Sequence, residues 1–206
     1  MNIWIVNPFD QLPNETDVPL RYWSLCKTFA TQGHDVIWWS SDYSHLTKTK
    51  RSSCPDSDDF SVQLIETPPY TKNISFVRLK NHKAFANGFY NLATHKLNSG
   101  NLKAPDRIIV SLPPLGVAEH AFKIRDLINN QSPIVSHPST TSLCEVVVDI
   151  MDAWPETFYQ VLPKPLRKLM GPLLLAPMHR SAKRAYQGAD KISAVGQSYL
   201  ELAQKY

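Results

Sequence analysis

The length, composition and charge of this chain are those of a folded protein. It has 206 residues, 43% of them hydrophobic and 10% aromatic, with 16 Pro and only 7 Gly. This composition excludes a disordered chain and a collagen-like one. The formal net charge is +4, but residues 161–206 alone contain 8 basic and 2 acidic side chains. Because the positive excess belongs to the last quarter, we expect no nucleic-acid partner.

The cysteines and the apolar runs indicate the cellular compartment of the protein. Cys26, Cys54 and Cys144 form no CxxC motif and cannot all pair with one another, which favours a reducing cytosol and gives no zinc framework. The N-terminus lacks the basic region of a signal peptide. The apolar stretch from Gly171 to Met178 is far shorter than the roughly 20 residues of a membrane helix. We therefore expect a cytoplasmic protein that does not span the membrane.

The beginning of the chain predicts a βαβ unit, the building block of a parallel sheet. The short apolar run Asn2–Val6 predicts a buried strand. A helix is expected over Asp17–Gln32, with Asp17 as N-cap and with Gly33 ending it in the left-handed conformation. A second strand is expected over His34–Ser40. This order implies parallel pairing with a right-handed crossover.

The rest of the chain continues the alternation of strands and helices. Residues 42–59 are polar and are predicted to form an excursion or a mobile loop. Helical pieces are expected over 156–188, broken at Pro163, Pro165, Pro172 and Pro177. The other strands are predicted at Ser61–Thr67, Asp106–Leu112, Glu145–Ile150 and Lys191–Val195, and the other helices at Phe76–Leu97, Leu115–Asn129 and Gln197–Tyr206. The sum predicts one α/β domain, a Rossmann-like, doubly wound and mostly parallel sheet without an internal linker.

Several common site types are excluded at the carboxyl ends of these strands, where ligands bind in such sheets. The loop after the first strand contains no Gly, and the first Gly of the chain is Gly33, which disfavours an NAD or FAD site. The chain has no GxxxxGK[ST] and no GxSxG motif. No HExxH motif or His/Cys cluster is present, so no metal is expected.

The loop after the fifth strand contains the densest polar cluster. Asp149, Asp152 and Glu156 offer carboxylates that can hydrogen-bond sugar hydroxyls, and Trp154 can stack on a pyranose ring. The alternative is structural, because an Asp just before Pro155 can simply cap the helix that begins there.

Two further positions face the same edge. Arg21, near the N-terminus of the first helix, suits a phosphate or a carboxylate, unless it only pairs with Glu15 or Asp17. Ser111 and Pro113 end the fourth strand, where they would shape a sugar or lipid site, although a Pro pair can equally be a strand stop.

The segment 161–188 alternates basic and apolar blocks. It would suit an anionic membrane surface, or alternatively a helix pair whose Leu side chains pack on the sheet. Trp38 and Trp39 are adjacent in a strand and are expected in the core on opposite faces. The residues expected to face a membrane are Lys164, Arg167, Lys168, Arg180, Lys183 and Arg184.

Four stretches resemble the N-terminal half of a GT-B glycosyltransferase of the retaining family 4 type. The most specific is Asp149 to Glu156, similar to the DxxDxWPE stretch of the amino-sugar transferase-like branch. The others are NIWIV with Arg21 and GHDV, the stretch from Arg78 to Tyr90 followed by PDRII, and GADKISAV from Gly188 to Val195. The likeness covers most of the chain.

The resemblance implies a function and a set of roles. Residues 1–206 would be the acceptor-side domain, without the second Rossmann-like domain that holds most of the nucleotide-sugar. The enzyme would transfer a sugar with retention to a lipid-linked or saccharide acceptor, with no cofactor besides the nucleotide-sugar donor, at the inner face of the cell membrane. Asp152 would act near the transferred sugar and Arg21 at an acceptor phosphate.

The first loop departs from the family pattern. Gln11, Pro13 and Asn14 stand where the family often has Gly-Gly, so the expected substrate contacts there fall to Gln11 and Asn14. The competing hypothesis is a non-catalytic Rossmann-like module that binds a ligand or a partner chain.

Overall fold

A six-stranded parallel sheet forms the centre of the molecule. The computed structural model describes residues 1–51, 59–130, 143–161 and 171–206, with only the backbone at 160, 161 and 172. The strands are β1 (Asn2–Val6), β2 (Asp35–Ser41), β3 (Ser61–Ile65), β4 (Arg107–Leu112), β5 (Glu145–Ile150) and β6 (Lys191–Ala194). The helices are α1 (Arg21–Thr31), α2 (Phe76–Asn98), α3 (Leu115–Asn130), α4 (Glu156–Val161), α5 (Gly171–Gly188) and α6 (Gln197–Ala203).

The strand order is β3-β2-β1-β4-β5-β6, and every pair is parallel. Ile5 of β1 lies between Trp38 of β2 and Ile109 of β4. Because the chain leaves β1 in one direction along the sheet and later returns to its other side at β4, the crevice between the ends of these two strands is the topological switch point. The predicted α/β, doubly wound fold class is confirmed.

Helices cover both faces of the sheet. On one face Ile5 and Trp38 pack against Tyr22 and Cys26 of α1. On the other face the helices α2, α3 and α5 cover a larger core that includes Trp4, Trp39, Phe89, Val110 and Val148. Neighbouring strand residues point to opposite faces, so Trp38 and Trp39 enter different cores. Both are fully buried, as predicted.

Helix α1 begins later than the sequence predicted. It starts at Arg21, and Leu20 stands at its N-cap position without a side-chain hydrogen bond. The carboxylate of Asp10, in the loop after β1, accepts a hydrogen bond from the backbone N of Tyr22 instead. The prediction of Asp17 as N-cap was wrong because an acceptor distant in sequence satisfies the free N–H groups of the first turn.

The predicted break at Pro177 was also wrong. Helix α5 continues through Pro177, and Leu175, Ala182 and Ala185 on the same helix are buried. Burial of this face offsets the hydrogen bond that proline removes. The predicted breaks at Pro163 and Pro165 lie outside the described residues.

Helix α2 matches its predicted extent to within one residue, but its first turn is exposed. Phe85 and Phe89 are buried, whereas Phe76 and Leu79 in the first turn are exposed. Ser75 caps this helix by accepting from the backbone N of Arg78. The first turn of α2 therefore extends past the edge of the sheet. In the described parts of the chain, no helix has the length and apolarity needed to cross a membrane.

Candidate functional site

The carboxyl ends of the six parallel strands bring the loops that follow them to one edge of the sheet. Asn7 follows β1 and is buried beside Ser111 of β4, at the switch point. The Asn7 side chain donates to the Ser111 hydroxyl at 3.0 Å, while the Asn7 backbone carbonyl oxygen accepts from the Trp38 indole. These bonds close the floor of the crevice, so any ligand must lie above it, among the loop side chains.

Asp149, near the end of β5, joins α1 to the sheet. Its side chain is only 1% exposed and accepts two hydrogen bonds from Arg21, each at 2.8 Å. The Tyr22 hydroxyl donates to the same carboxylate at 2.7 Å and the Ser193 hydroxyl at 2.6 Å. Asp149 and Arg21 are thus brought together, as partners of each other.

Hydrogen bonding holds the Asp149 carboxylate in its charged form. Burial alone would raise the pKa of this carboxyl, but bonds from Arg21, Ser193 and Tyr22 outweigh that effect and hold the pKa below its usual range. The same contact raises the pKa of the Arg21 guanidinium. The arrangement is an ion pair between a buried carboxylate and a partly exposed guanidinium, and it positions α1.

A second arginine fixes the loops after β1 and β2. Arg51 is almost fully buried and donates to both carboxylate oxygens of Glu15 at 2.9 Å. It also donates to the backbone carbonyls of Ser41 and Asp10. Glu15 was a suggested partner of Arg21, and that prediction was wrong because Arg51 binds Glu15 instead.

Beyond the Arg21–Asp149 and Arg51–Glu15 ion pairs lies a group of aromatic rings and cations that we call the aromatic–cation cluster. Its members come from four loops and from the first turns of α2, and they enclose the edge of the sheet on the side of α2. They are Phe9, His45, Lys48, Tyr70, Arg78, His82 and Trp154.

Arg78 lies at the centre of the aromatic–cation cluster. Its guanidinium carbon is 5.4 Å from the ring centroid of Trp154 and 5.5 Å from that of Phe9. It donates to His82 Nε2 at 3.2 Å and to the backbone carbonyl of Asn73 at 2.7 Å. No carboxylate in the described ranges forms an ion pair with Arg78, so this half-buried cation retains capacity for an anion.

The two imidazoles of the cluster are neutral at physiological pH. Burial and the nearby Lys48 and Arg78 charges lower the pKa of His45 to about 4. Burial and Arg78 lower that of His82 to about 3. Because neutral His82 accepts at Nε2, its ring proton is on Nδ1. The positive charge of the cluster therefore belongs to Lys48 and Arg78.

Lys48 is held in an unusual backbone conformation. Its φ is 59°, and it is the one non-glycine residue with positive φ in the described ranges. Its ammonium donates to Asn73 Oδ1 at 2.7 Å and lies 4.6 Å from the centroid of the Tyr70 ring. Such a conformation costs roughly 1–2 kcal/mol in a residue with a side chain. It directs the ammonium across Tyr70 towards Asn73, beside Arg78.

The chemistry of this site rests on its own residues. No protein-family model and no curated protein matches the chain. Lys48 and Arg78 can bind a phosphate or carboxylate, and the partly exposed ring of Phe9 can contact an apolar face of the same ligand. Tyr70, His82 and Trp154 are buried beneath them. The described residues contain no group of His, Cys, Asp or Glu that could hold a metal ion.

The carboxylates after β5 have separate surroundings. Asp152 accepts from the Trp154 indole at 3.0 Å and from the Thr157 hydroxyl at 2.9 Å, one bond on each oxygen. Trp154 is buried and belongs to the cluster. Glu156 accepts from the Tyr206 hydroxyl at 2.8 Å, away from the cluster. Asp152 is thus the acidic residue beside Arg78, and it is engaged by its own loop.

The remaining predicted contacts are dispersed. Ser111 and Pro113 are buried, and the Ser111 hydroxyl is bonded within the crevice floor, so neither presents an open surface. Gln11 donates to the backbone carbonyl of Glu15, and Asn14 is exposed in the same loop.

The basic residues predicted to face a membrane are partly described. Arg180, Lys183 and Arg184 are exposed on α5, and Arg184 pairs with Glu119 at 2.9 Å. Lys164, Arg167 and Lys168 lie outside the described residues. The exposed Leu173 and Leu174 begin the same helix.

Most of the aromatic–cation cluster was missed from the sequence. Arg78 and His82 are four residues apart at the start of a helix, a spacing that puts them on one side of it. Tyr70 follows Pro68 and Pro69 in the loop after β3, and Lys48 lies in the excursion after β2. Each follows a strand's carboxyl end, which was the available indication.

Proposed function

We propose that this chain is the acceptor-side domain of a retaining glycosyltransferase, acting with a nucleotide-sugar-binding domain in surface polysaccharide or glycoconjugate synthesis. The acceptor is lipid-linked or a saccharide. The observation that carries the proposal is the aromatic–cation cluster at the carboxyl edge of the sheet. The partly exposed ring of Phe9 can contact a sugar beside a cation that can bind a phosphate, while the buried rings of Tyr70 and Trp154 hold that cation in place.

The resemblance of Asp149–Glu156 to the DxxDxWPE stretch supports the roles within the reaction. During transfer the bond from the anomeric carbon to the nucleotide diphosphate breaks, and a bond to the acceptor hydroxyl oxygen forms. The acceptor proton passes to the released diphosphate. Asp152 would hydrogen-bond the transferred sugar or stabilise the positive charge that develops at the anomeric carbon. Asp149 and Arg21 would position α1 for this site.

Peripheral attachment to an anionic membrane fits the same proposal. Exposed Arg180 and Lys183 follow the exposed Leu173 and Leu174 along α5, a distribution that suits a lipid–water interface. A lipid-linked acceptor would then be reached without leaving the membrane.

Transfer activity tests the proposal. A panel of nucleotide-sugars is combined with sugar–diphosphate–lipid and saccharide acceptors, using the chain alone and the chain joined to a second Rossmann-like domain. We expect product only with the second domain, and a loss of about 10-fold to 100-fold in kcat/KM for Asp152→Asn. Asp126→Asn, on the exposed side of α3, is the matched control. Unchanged turnover in Asp152→Asn would remove its catalytic role.

A binding module is the second candidate, and one observation favours it. Both oxygens of Asp152 already accept hydrogen bonds from its own loop. If saccharides bind the chain but no donor and acceptor pair gives product, the non-catalytic function replaces the enzymatic one.

A further inference from the structure

A mainly apolar groove of about 420 Å³ lies between the first turns of α2 and α5. Leu174 is 51% exposed at its rim, and Phe76 and Ile74 beside it are also exposed. Its hydrophobic lining includes Ile74, Leu79, Phe158, Leu174 and Met178.

The groove meets the aromatic–cation cluster at Arg78 and Trp154. Both side chains line the groove, and both also belong to the cluster. An apolar channel therefore adjoins a cation that forms no ion pair with a carboxylate of the described residues. Burial lowers the pKa of the Arg78 guanidinium from its ordinary value, against the influence of Tyr70 and Asp152, which reflects its incomplete hydration.

The charged side chains of α2 and α5, the two helices that enclose the groove, are all basic. Helix α2 contains four basic residues and α5 contains three, and neither contains an Asp or Glu. The whole stretch 67–105 lacks acidic residues. Asp152 is the acid whose charge acts on Arg78, but its two oxygens accept hydrogen bonds from Trp154 and Thr157. An anionic ligand is attracted here, and a cationic one is repelled.

We propose that the groove binds one molecule of an amphiphile with a phosphate head, the phosphate at Arg78 and Lys48 and the hydrocarbon chain between α2 and α5. A phosphate alone would leave the apolar lining in contact with water. An uncharged lipid would leave the half-buried guanidinium unpaired. A phosphate joined to an alkyl chain satisfies both parts of the site.

Titration calorimetry with small probes tests this binding directly. Octyl phosphate, below its micelle concentration, is compared with inorganic phosphate and with octyl tetraethylene glycol ether. We expect octyl phosphate to bind at least 10-fold more tightly than either. Affinity should rise by up to about 4-fold per methylene from hexyl to octyl phosphate if each added methylene is buried.

Two substitutions locate the site. Arg78→Gln should weaken octyl phosphate binding by about 10-fold to 100-fold, because a hydrogen-bonded charge is lost. Leu174→Gln should weaken it by about 3-fold to 10-fold. The matched controls are Lys27→Gln on α1 and Leu143→Gln, whose side chain is 67% exposed at the opposite edge of the sheet. Because Leu174 is at the surface, its variant remains informative if Arg78→Gln does not fold.

The outcomes separate the alternatives. Inorganic phosphate binding as tightly as octyl phosphate would overturn the role of the groove, and equal binding of the neutral amphiphile would overturn the role of the cations. Binding to phosphatidylglycerol vesicles without binding of monomeric octyl phosphate would also overturn the proposal, because it would indicate adsorption to a surface.

The use of the bound amphiphile as an acceptor rests on the proposed function, but its binding does not. Octyl phosphate binding without any sugar transfer would uphold the groove and reject the transferase. Transfer to saccharides with no octyl phosphate binding would do the reverse.

Discussion

Replacing Asp149 with Asn tests whether its carboxylate fixes α1 to the sheet. Asn keeps the shape of the side chain but removes the charge and turns one acceptor oxygen into a donor. The amide oxygen can still accept from the fully buried Tyr22 hydroxyl, while the amide nitrogen then faces Ser193 and one Arg21 nitrogen. The substitution therefore removes the ion pair and places an amide donor against an Arg21 donor, while the Ser193 hydroxyl can turn to accept from the amide.

The size of the effect follows from the burial of the partners. A hydrogen bond to a charged group contributes about 1.5–3 kcal/mol, and removing one member of a buried ion pair costs about 3–5 kcal/mol. Arg21 is 37% exposed and can turn to water, which reduces the penalty. We expect Asp149→Asn to lower the free energy of unfolding by about 2–3 kcal/mol.

Urea unfolding measures this change, and Asp126→Asn supplies a matched control. Asp126 pairs with Arg125 Nε at 2.9 Å, almost the distance of the Asp149 pair, but its side chain is 57% exposed. An exposed pair contributes at most about 1 kcal/mol. We expect the loss of stability to be larger in Asp149→Asn. Equal losses in the two variants, at unchanged m value, would refute the reasoning that burial makes the Asp149 ion pair contribute more to the free energy of unfolding.

The pH dependence of the same variant gives an independent check. Because the pKa of Asp149 is depressed in the folded protein, its contribution is complete above the unfolded value near ~3.9 and is lost as pH falls through the folded pKa. The stability difference between the wild type and Asp149→Asn should be constant from about pH 5 to 7 and shrink in more acidic solution. A difference that grows on acidification would contradict the assignment.

Three further substitutions test other parts of the fold. Gly88→Ala in α2 should lower the free energy of unfolding in urea by about 1–2 kcal/mol, because the new Cβ would lie 2.5 Å from Ile65 Cγ2. Ala is the better helix former, so a gain in stability would contradict this packing. Lys48→Gly should be about 1 kcal/mol more stable than Lys48→Ala, because both remove the ammonium but only Gly adopts the positive φ without strain. Equal melting curves of the two variants would show that the backbone is not strained at this position. Phe89→Ala should cost about 3–5 kcal/mol, measured in the same way, because the ring packs against Trp4 and Trp39; a loss below 1 kcal/mol would indicate that the core collapses around it.

The fold was predictable because its information is local and repetitive. The apolar runs at β1, β4 and β5 and the left-handed Gly33 after α1 each mark an element without help from distant residues. Alternation of such strands with helices permits few topologies, and the parallel sheet followed. Helix α1 was extended too far because its cap, Asp10, comes from another loop and no spacing rule connects it to Tyr22.

The candidate site was only partly predictable, for a related reason. The rule that ligands bind at the carboxyl ends of strands selected the loops that contribute Phe9, Tyr70 and Trp154 to the aromatic–cation cluster. It did not indicate which polar side chains in those loops bind one another. Arg21 was predicted near Glu15 or a ligand phosphate, whereas its partner Asp149 is 128 residues away. Such pairings depend on the register of β1, β4 and β5, which the sequence does not specify to a single residue.

The ion pairs distinguish the cations that hold the fold together from the cations that are available to a ligand. Arg21 and Arg51 each meet a carboxylate with two hydrogen bonds, so their charge is already neutralised by the protein. Arg78 and Lys48, at the same edge, form no such pair within the described ranges. Two neighbouring cations repel one another unless an anion lies close by, and Asp152, the acid beside Arg78, is engaged by its own loop. The proposed phosphate ligand would supply the ion-pair partner that Arg78 and Lys48 do not find among the described residues.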